Sequence, residues 1–303
     1  MTSHSRDTTR VSVLGLGAMG LPMATRLGQS FDVHGFDVNE SRRLLAAREG
    51  VSVHESARLA AAEADVVLIA VRNEQQLIDV LFGPVGVVDV LTSEAVVVLT
   101  STVGMAAIPE TAMRLDHLGI SFVDAPLSGG AVRAAEGDLL ILVGGTPQSI
   151  GLARSVLDSL SSTLTIVGDR PGDGQALKTV NQLLCGVHIA AAAEALALAD
   201  ALGLKREAAL EALELGAAGS FMLSNRGPRM LAAYDANPPE VMSRLDIFVK
   251  DLGIVGTATR SLGLAAPVSA AAEQLFLLAK AQGLSAEDDS AVIRAIAPKL
   301  NAD

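Results

Sequence analysis

Short apolar runs alternate with amphipathic stretches through the first half of the chain. The runs are rich in Val, Ile and Leu and end at glycine or polar residues, which is typical of buried strands. We predict strands at residues 11–14, 31–36, 65–71, 95–100, 120–124, 139–143 and 164–167. Helical periodicity lies between the earlier runs, at residues 40–48, 56–62 and 74–82. This alternation predicts βαβ units and a mostly parallel sheet.

The pattern changes at residues 168–174, where Gly, Asp and Pro predict a loop. No convincing strand follows it. Helical patterns occupy roughly residues 174–202, 205–215, 220–232, 239–262, 267–282 and 287–299. The first of these is free of proline and would be roughly 40 Å long at about 1.5 Å per residue. We therefore predict an α/β domain at residues 1–170 and an all-α domain at residues 171–303, built on the long helix between the domains.

Composition agrees with this architecture and narrows the function. Half of the residues are hydrophobic but only 3% are aromatic, so Ala, Val, Leu and Ile form the core, as suits a parallel sheet flanked by helices. The net charge of −11, without a basic stripe, argues against nucleic acid as a partner. Cys185 is the only cysteine, which excludes an intrachain disulfide and fits a reducing compartment.

The chain also lacks the usual signals for export or membrane insertion. Residues 1–10 are polar and contain no apolar segment of signal-peptide length. The longest apolar runs are interrupted by Gly or charged residues before they reach the length of a membrane span. We expect a soluble, cytoplasmic protein without a membrane partner.

A glycine-rich turn joins the first predicted strand to a helix. Its pattern, Gly-x-Gly-x-x-Gly, allows a tight turn, close approach of the backbone to a pyrophosphate, and close packing of helix on strand. The helix N-terminus would face the anion. The alternative is an ordinary turn between strand and helix. The predicted cofactor-binding residues of the turn are Gly15, Leu16, Gly17, Ala18, Met19 and Gly20.

Asp37 ends the second predicted strand, 17 residues after Gly20. A carboxylate there can accept hydrogen bonds from ribose hydroxyls and would repel a 2′-phosphate, so we expect NAD rather than NADP. Two observations leave alternatives open. Arg42 and Arg43 could serve a phosphate, and Asp37 could instead cap the helix that follows near Glu40.

Two further segments follow predicted strands. Ser101 and Thr102 close a buried strand, and the carboxyl ends of strands are where open α/β sheets bind ligands. Their alternative role is to cap the next helix.

The second of these segments contains Ser128, Gly129 and Gly130, which combine a hydroxyl with consecutive backbone N–H groups after Pro126. Such an array binds anions, including carboxylates. The alternative is a glycine-rich surface turn.

Lys178 lies near the start of the long predicted helix, and Asn181 follows one turn later. Removing hydride from an alcohol requires an acceptor for the hydroxyl proton, and a lysine amine can serve. The alternative is a solvated lysine at a helix start. Lys250 by itself suggests a surface charge. The five histidines are scattered, so no metal site is predicted.

Four segments together resemble the β-hydroxyacid dehydrogenase family, whose members include 3-hydroxyisobutyrate dehydrogenase and tartronate semialdehyde reductase. The matching segments, in order, read GLGAMGLPMA at residues 15–24, DAPLSGG at 124–130, GDGQALKTVN at 172–181 and KDL at 250–252. The resemblance extends from Val11 to about Leu300. It implies a dinucleotide-binding (Rossmann) domain followed by an all-helical domain that forms intertwined dimers, so we expect a homodimer or homotetramer.

The resemblance also implies residue roles. Lys178 would be the catalytic acid/base, and Asn181 would orient the substrate beside it. The loop at residues 128–130 would hold the substrate carboxylate. Thr102 and Lys250 would contact the nicotinamide side of the cofactor, which replaces the interpretation of Lys250 as a surface charge.

One departure bears on the substrate. The family often has two asparagines after the lysine, whereas this chain has Gln182 at the second position, where we expect it to contact the substrate. Residues 182–190, 246–253 and 287–293 are similar to the L-threonate dehydrogenase branch of the family. Asn181 stands where that branch often has His, and the segment 219–222 is shorter and lacks a Trp.

We therefore predict NAD-dependent oxidation of the 3-hydroxyl of a small 3-hydroxy acid, or the reverse reduction of a semialdehyde. A four-carbon sugar acid such as L-threonate is the favoured substrate. The alternatives are 3-hydroxyisobutyrate and tartronate semialdehyde, also called 2-hydroxy-3-oxopropionate. Imine reduction is disfavoured because related imine reductases usually lack the lysine. A non-catalytic nucleotide-binding sensor is the alternative from another class.

Overall fold

The computed structural model of the protein describes residues 9–299. Residues 1–8, which hold most of the polar N-terminal segment considered above, lie outside the described residues, as do residues 300–303. By its internal contacts the chain divides into two units between Lys178 and Thr179, here called the first and the second unit.

The first unit contains a nine-stranded, mostly parallel sheet, as predicted. Its strands are β1 (Arg10–Leu14), β2 (Asp32–Phe36), β3 (Ser52–Val53), β4 (Val66–Ile69), β5 (Val96–Leu99), β6 (Ser121–Asp124), β7 (Leu127–Ser128), β8 (Leu139–Gly144) and β9 (Ser161–Gly168). The order is β3-β2-β1-β4-β5-β6-β8-β7, and β9 pairs with β8. Only the β6–β8 and β7–β8 pairs are antiparallel. All predicted strands are present. The sequence pattern did not predict β3 and β7, because each is only two residues long and too short to show a periodicity.

Helices flank this sheet. They are α1 (Gly20–Leu27), α2 (Glu40–Arg48), α3 (Ala57–Ala61), α4 (Glu74–Phe82), α5 (Ile108–His117), α6 (Gly130–Glu136) and α7 (Pro147–Leu160). Along β4, Val66 and Leu68 belong to one buried cluster while Val67 and Ile69 belong to another. Because both faces of the strand are buried, its sequence is continuously apolar rather than alternating.

In the described part of the second unit the regular elements are all helices, apart from one isolated backbone bridge. Its helices are the larger part of α8 (Asp173–Ala201), then α9 (Arg206–Leu215), α10 (Phe221–Ala232), α11 (Leu245–Ser261) and α12 (Pro267–Ala281), with 3-10 helices at Leu284–Ala286 and Asp289–Ala295. The core includes Phe248 of α11 and Phe276 of α12, whose rings stack with centroids 5.4 Å apart. The predicted Rossmann-type domain followed by a helical domain on a long helix is confirmed.

Two helix predictions in the second unit are wrong, and one cause explains both. The helix predicted at residues 239–262 begins at Leu245, and the helix predicted at 287–299 is instead the 3-10 helix. The backbones at Arg244 and Asp288 form an antiparallel bridge, and Leu245 N donates to Glu287 O at 2.9 Å. This pairing uses backbone groups that a longer helix would need.

The prediction that no apolar run reaches the length of a membrane span is wrong for α8. Its 29 residues are long and apolar enough to cross a membrane by length and composition, although 44% of the most apolar window is buried in the structure. Gly186 does not interrupt the helix. A Cβ at Gly186 would lie 2.6 Å from Leu252 Cδ2, so glycine there permits close packing of α11 on α8. Partial burial is what the core helix of a globular domain shows.

The start of α8 is held by one buried carboxylate. Asp124 ends β6, is fully buried, and accepts hydrogen bonds from the backbone N–H groups of Gly172 and Gln175, both at 2.6 Å. The first N–H groups of a helix lack partners within the helix, and the helix dipole favours an anion beside them. Asp124 therefore fixes where α8 begins relative to the sheet.

Two glycines make room for this carboxylate. A Cβ at Gly144 would lie 2.5 Å from Asp124 Oδ1, and a Cβ at Gly174 would lie 2.8 Å from Oδ2. Burial raises the pKa of Asp124 to about 6 although the hydrogen bonds from Gly172 and Gln175 lower it, and the nearby charge of Asp173 raises it further. Desolvation thus outweighs the two backbone hydrogen bonds.

Replacing the carboxylate should change how stability depends on pH. Because the folded pKa of Asp124 lies above its unfolded value of 3.8, protonation favours the folded state. The stabilisation is complete below the unfolded pKa and is lost as the pH rises through about 6. We expect the free energy of unfolding of the natural protein, minus that of Asp124→Asn, to fall by about 2 to 3 kcal/mol between about pH 4 and about pH 7. Urea unfolding at several pH values measures this difference.

A matched control is Asp116→Asn, because Asp116 is an exposed residue of α5. Its difference from the natural protein should stay nearly constant over the same pH range. An equally constant difference for Asp124→Asn would contradict the assignment.

Candidate active site

The glycine turn after β1 has the geometry of a dinucleotide site. Gly15 has φ +100°, and a Cβ there would overlap Ala70 O, while a Cβ at Gly20 would overlap Gly15 O. A Cβ at Gly17, in contrast, would meet no atom within 4 Å. Gly15 and Gly20 are thus required by the fold, and Gly17 leaves open space over the backbone, as the fingerprint for a pyrophosphate would need.

The other residues of this turn differ in exposure. Leu16 is fully buried in the core, so it can offer only its backbone to a ligand. Ala18 is exposed and Met19 is half-buried at the start of α1. The six residues therefore form a backbone cradle rather than a side-chain site.

Asp37 lies beside this cradle. Its Oδ2 accepts a hydrogen bond from Leu16 N at 2.8 Å, and Oδ1 accepts one from Asn39 N at 2.8 Å. Asn39, not Asp37, caps α2, so the interpretation of Asp37 as that helix cap is wrong. Arg43 donates to the Asp37 carbonyl oxygen at 2.7 Å, which commits part of its guanidinium to the backbone. Arg42 is exposed.

The segment after β5 borders the same edge of the sheet, because β5 pairs with β4, which pairs with β1. The Ser101 hydroxyl accepts from Val71 N at 2.7 Å. The N-cap of α5 is Ala107, so neither Ser101 nor Thr102 caps that helix. Thr102 is half-buried.

Gln175 is a residue of this region that sequence reasoning missed. Its side chain is fully buried, donates to Ser101 O at 2.8 Å and accepts from Val103 N at 3.1 Å. It links the first turn of α8 to the end of β5. The available signal was a glutamine directly before the apolar pair Ala176 and Leu177 in the first turn of the helix.

Ser128, Gly129 and Gly130 lie where β7 turns into α6. Gly129 has φ +143° and Gly130 has φ +79°, values that L side chains rarely adopt. Both glycines are exposed and Ser128 is half-buried. The backbone of this loop is therefore open to a ligand, with a hydroxyl beside it.

Lys178 is 6% exposed, so its interpretation as a solvated lysine is wrong. On the same helix, the Asn181 amide donates to Gln182 Oε1 at 2.9 Å and to Cys185 Sγ at 3.4 Å. Gln182 is buried as well. This stretch of α8 therefore presents an amine followed, one turn later, by a pair of connected amides.

A buried carboxylate on α11 completes the amide pair. Asp251 is 2% exposed, accepts a hydrogen bond from Gln182 Nε2, and has Lys250 Nζ 2.8 Å from its Oδ1. Lys250 is thus ion-paired rather than simply solvated. Sequence reasoning did not select Asp251 as a site residue. Its signal was an acid on the core face of α11, in line with Phe248 and Val255.

The predicted site residues fall into both units. The first unit holds the glycine turn, Asp37, Thr102, the loop at 128–130 and Lys178, and the second holds Asn181, Gln182 and Lys250. Among residues 9–299, no group of three or more His, Cys, Asp or Glu side chains could hold a metal ion.

Comparison with known proteins assigns both units to one family. Residues 10–168 match the NAD binding domain of 6-phosphogluconate dehydrogenase, and residues 172–296 match the NAD-binding domain of NADP-dependent 3-hydroxyisobutyrate dehydrogenase. The L-threonate dehydrogenase of Cupriavidus necator is 39% identical over 94% of this chain and 95% of its own. The 2-hydroxy-3-oxopropionate reductase of Escherichia coli K12 is 31% identical over 95% of this chain and 97% of its own.

A solved structure agrees. The crystal structure of 3-hydroxyisobutyrate dehydrogenase from Salmonella typhimurium superposes with a TM-score of 0.85 and is 35% identical in sequence. The superposition covers 94% of this chain and 99% of that chain. These matches span nearly all of both chains, so they apply to the whole architecture and not to the cofactor half alone. The chain belongs to the 3-hydroxyisobutyrate dehydrogenase-like family of β-hydroxyacid dehydrogenases, which are NAD(P)-dependent oxidoreductases.

Proposed function

We propose that the protein oxidises the 3-hydroxyl of a small hydroxy acid with NAD, and that its best substrate is a four-carbon sugar acid such as L-threonate. The observation that carries the activity is buried Lys178, one turn before the amide pair on α8. The substrate class is supported by the greater identity to an L-threonate dehydrogenase, 39%, than to a 2-hydroxy-3-oxopropionate reductase, 31%. Gln182 in place of a second asparagine also favours a substrate other than 3-hydroxyisobutyrate.

Lys178 is the proposed acid/base. Bound NAD would supply the hydride acceptor for the carbon that carries the hydroxyl. The Lys178 amine takes the hydroxyl proton as the carbonyl forms, and in the reverse direction its ammonium returns a proton to the carbonyl oxygen. Burial keeps competing water away from the amine. Asn181 orients the substrate from the next turn of the helix.

The loop at residues 128–130 is proposed to bind the substrate carboxylate. Its glycines are exposed with positive φ, so a ligand can approach their backbone closely, and the Ser128 hydroxyl adds a donor beside them. Several convergent donors suit a carboxylate better than a neutral group. The loop would thus fix one end of the acid while Lys178 acts on the hydroxyl.

Asp37 supports NAD as the cofactor. Its carboxylate is oriented by Leu16 N and Asn39 N, and its remaining lone pairs can accept from ribose hydroxyls. A 2′-phosphate would bring further negative charge to the same carboxylate. Arg43 already donates to the Asp37 carbonyl oxygen, which reduces its capacity to bind a phosphate. Thr102 and Lys250 are proposed to contact the nicotinamide side.

We further propose a cytoplasmic homodimer or homotetramer assembled through the all-α domain, residues 171–303. Val180, Leu184 and Leu198 of α8 are between 49% and 60% exposed, which is unusual for large apolar residues on one helix. Light scattering of the purified protein should give the mass of two or four chains. A monomer at micromolar concentration would contradict this assembly.

A substrate panel tests the proposed reaction. L-Threonate, erythronate, glycerate, 3-hydroxyisobutyrate and 3-hydroxypropionate are each offered with NAD and with NADP, and formation of reduced cofactor is followed by absorbance. We expect the highest kcat/KM for L-threonate with NAD and a value at least about tenfold lower with NADP, because of the repulsion at Asp37. The product also shows which hydroxyl is oxidised, because a 3-oxo acid loses CO₂ readily and a 2-oxo acid does not.

A higher kcat/KM for 3-hydroxyisobutyrate, or for glycerate with tartronate semialdehyde as product, would shift the assignment to that substrate. Release of a stable 2-oxo acid would contradict oxidation at the 3-hydroxyl. Tight NAD binding with no turnover of any compound would favour a non-catalytic sensor.

Removing the proposed acid/base should separate binding from chemistry. We expect Lys178→Ala to bind NAD with unchanged affinity and to lose about 10²- to 10⁴-fold in kcat, the usual contribution of a positioned proton carrier. Steady-state kinetics and fluorescence titration with NADH measure the two effects. The matched control is Lys205→Ala, because Lys205 is exposed before α9 and should not affect kcat. Natural-like turnover in Lys178→Ala would exclude the mechanism.

A further inference from the structure

The hydrogen bonds around Gln182 have a defined direction because Asp251 can only accept. An ionised carboxylate offers no hydrogen, so the Gln182 group that faces it must be the amide nitrogen. Gln182 Nε2 does donate to Asp251 Oδ2, and both side chains are buried. The orientation of the Gln182 amide is therefore dictated by the acid on the neighbouring helix.

The same reasoning continues one residue further. With Nε2 on Asp251, Gln182 Oε1 is left to face Asn181, and it accepts from Asn181 Nδ2 at 2.9 Å. The Asn181 amide nitrogen also lies 3.4 Å from Cys185 Sγ, as a donor. Both bonds of Asn181 use its nitrogen. Within residues 9–299, no donor bonds to Asn181 Oδ1, which is left as an acceptor on a half-buried side chain.

Packing holds this chain of bonds in place. The close approach of Leu252 to Gly186 fixes α11 against α8 one turn beyond Gln182, and Leu252 is 1% exposed. Lys250 Nζ, 2.8 Å from Asp251 Oδ1, places a positive charge beside the buried carboxylate. A shift of α11 by one residue would remove Asp251 from Gln182. The contact is therefore specified by the helix packing and not by the side chains alone.

We propose that Asp251 is a positioning residue that makes Asn181 present its carbonyl oxygen to a hydroxyl of the substrate. The protein would thereby select polyhydroxy acids over acids that carry hydrogen or methyl at that position. A site built to hydrogen-bond a substrate hydroxyl rejects an analogue lacking it strongly, because its own polar group is left unpaired. This inference rests on the proposed function, in which the substrate lies beside Asn181.

Asp251→Asn tests the inference because it keeps the shape and removes the fixed direction. An amide at position 251 can face Gln182 with either its oxygen or its nitrogen, so both Gln182 and Asn181 can turn over. The readout is the ratio of kcat/KM for L-threonate to that for 3-hydroxybutyrate, which lacks the 2- and 4-hydroxyls. We expect this ratio to fall at least about tenfold in the variant, the range for one misdirected buried hydrogen bond.

Two further variants separate direction from simple structural damage. The double variant Asp251→Asn with Gln182→Glu moves the carboxylate from position 251 to position 182. There it accepts a hydrogen bond from Asn181 Nδ2 and another from the amide introduced at position 251. Asn181 then again presents Oδ1, so the substrate ratio should recover. Lys205→Ala, in contrast, should leave the ratio unchanged, because Lys205 is exposed before α9 and lies outside the bonds from Asp251 to Asn181.

The outcomes distinguish this inference from the proposed function. If the natural protein does not turn over L-threonate, the proposed substrate is wrong and the inference falls with it. If it does, but the ratio is the same in Asp251→Asn, the inference alone is overturned. An equal loss on both substrates that the double variant fails to reverse would likewise overturn it, since that is the result of a purely structural role.

Discussion

The carboxylate of Asp124 connects the sheet to the helix on which the chemistry is proposed. It sits at the end of β6 and binds the backbone N–H groups of Gly172 and Gln175, so it locates the first turn of α8. Lys178 follows on that helix, where burial is compatible with its proposed role as proton carrier. The absence of a Cβ at Gly144 and Gly174 is what permits the carboxylate to come so close. Burial raises the pKa of Asp124 to about 6, although its hydrogen bonds from the backbone of Gly172 and Gln175 lower it.

Much of this arrangement could be predicted from the sequence, because the signals are local. The strand at 65–71 is apolar throughout since both faces of β4 are buried, and Gly20 is required by its contact with Gly15 in the same turn. The failures are non-local. The backbone near Arg244 pairs with that near Asp288, over forty positions away, and this pairing shortens one helix and prevents another. Periodicity within a window contains no information on such a partner.

The same limit applies to the site. Lys178, Asn181 and Gln182 stand in one segment of sequence, so a motif can identify them together. Asp251 is 69 positions from Gln182, and only the packing of α11 on α8 brings them into contact. The only indication in the sequence was an acid on an apolar helix face. This indication is weak because it does not show which residue the acid contacts. The residue that sets the direction of the amides is thus the one that sequence reasoning did not select.

The two buried carboxylates differ in what they bind, and this difference bears on how specificity can change. Asp124 binds backbone donors, which among substitutions at Gly172 or Gln175 only proline would remove, so it constrains the fold whatever the substrate. Asp251 binds a side chain, and that side chain can vary. An asparagine at position 182 would be one methylene shorter and could not place its amide nitrogen where that of Gln182 lies. If the proposed site is correct, exchange at this one position would alter the polarity offered to the substrate while the helix start, the glycine turn and the lysine stay unchanged.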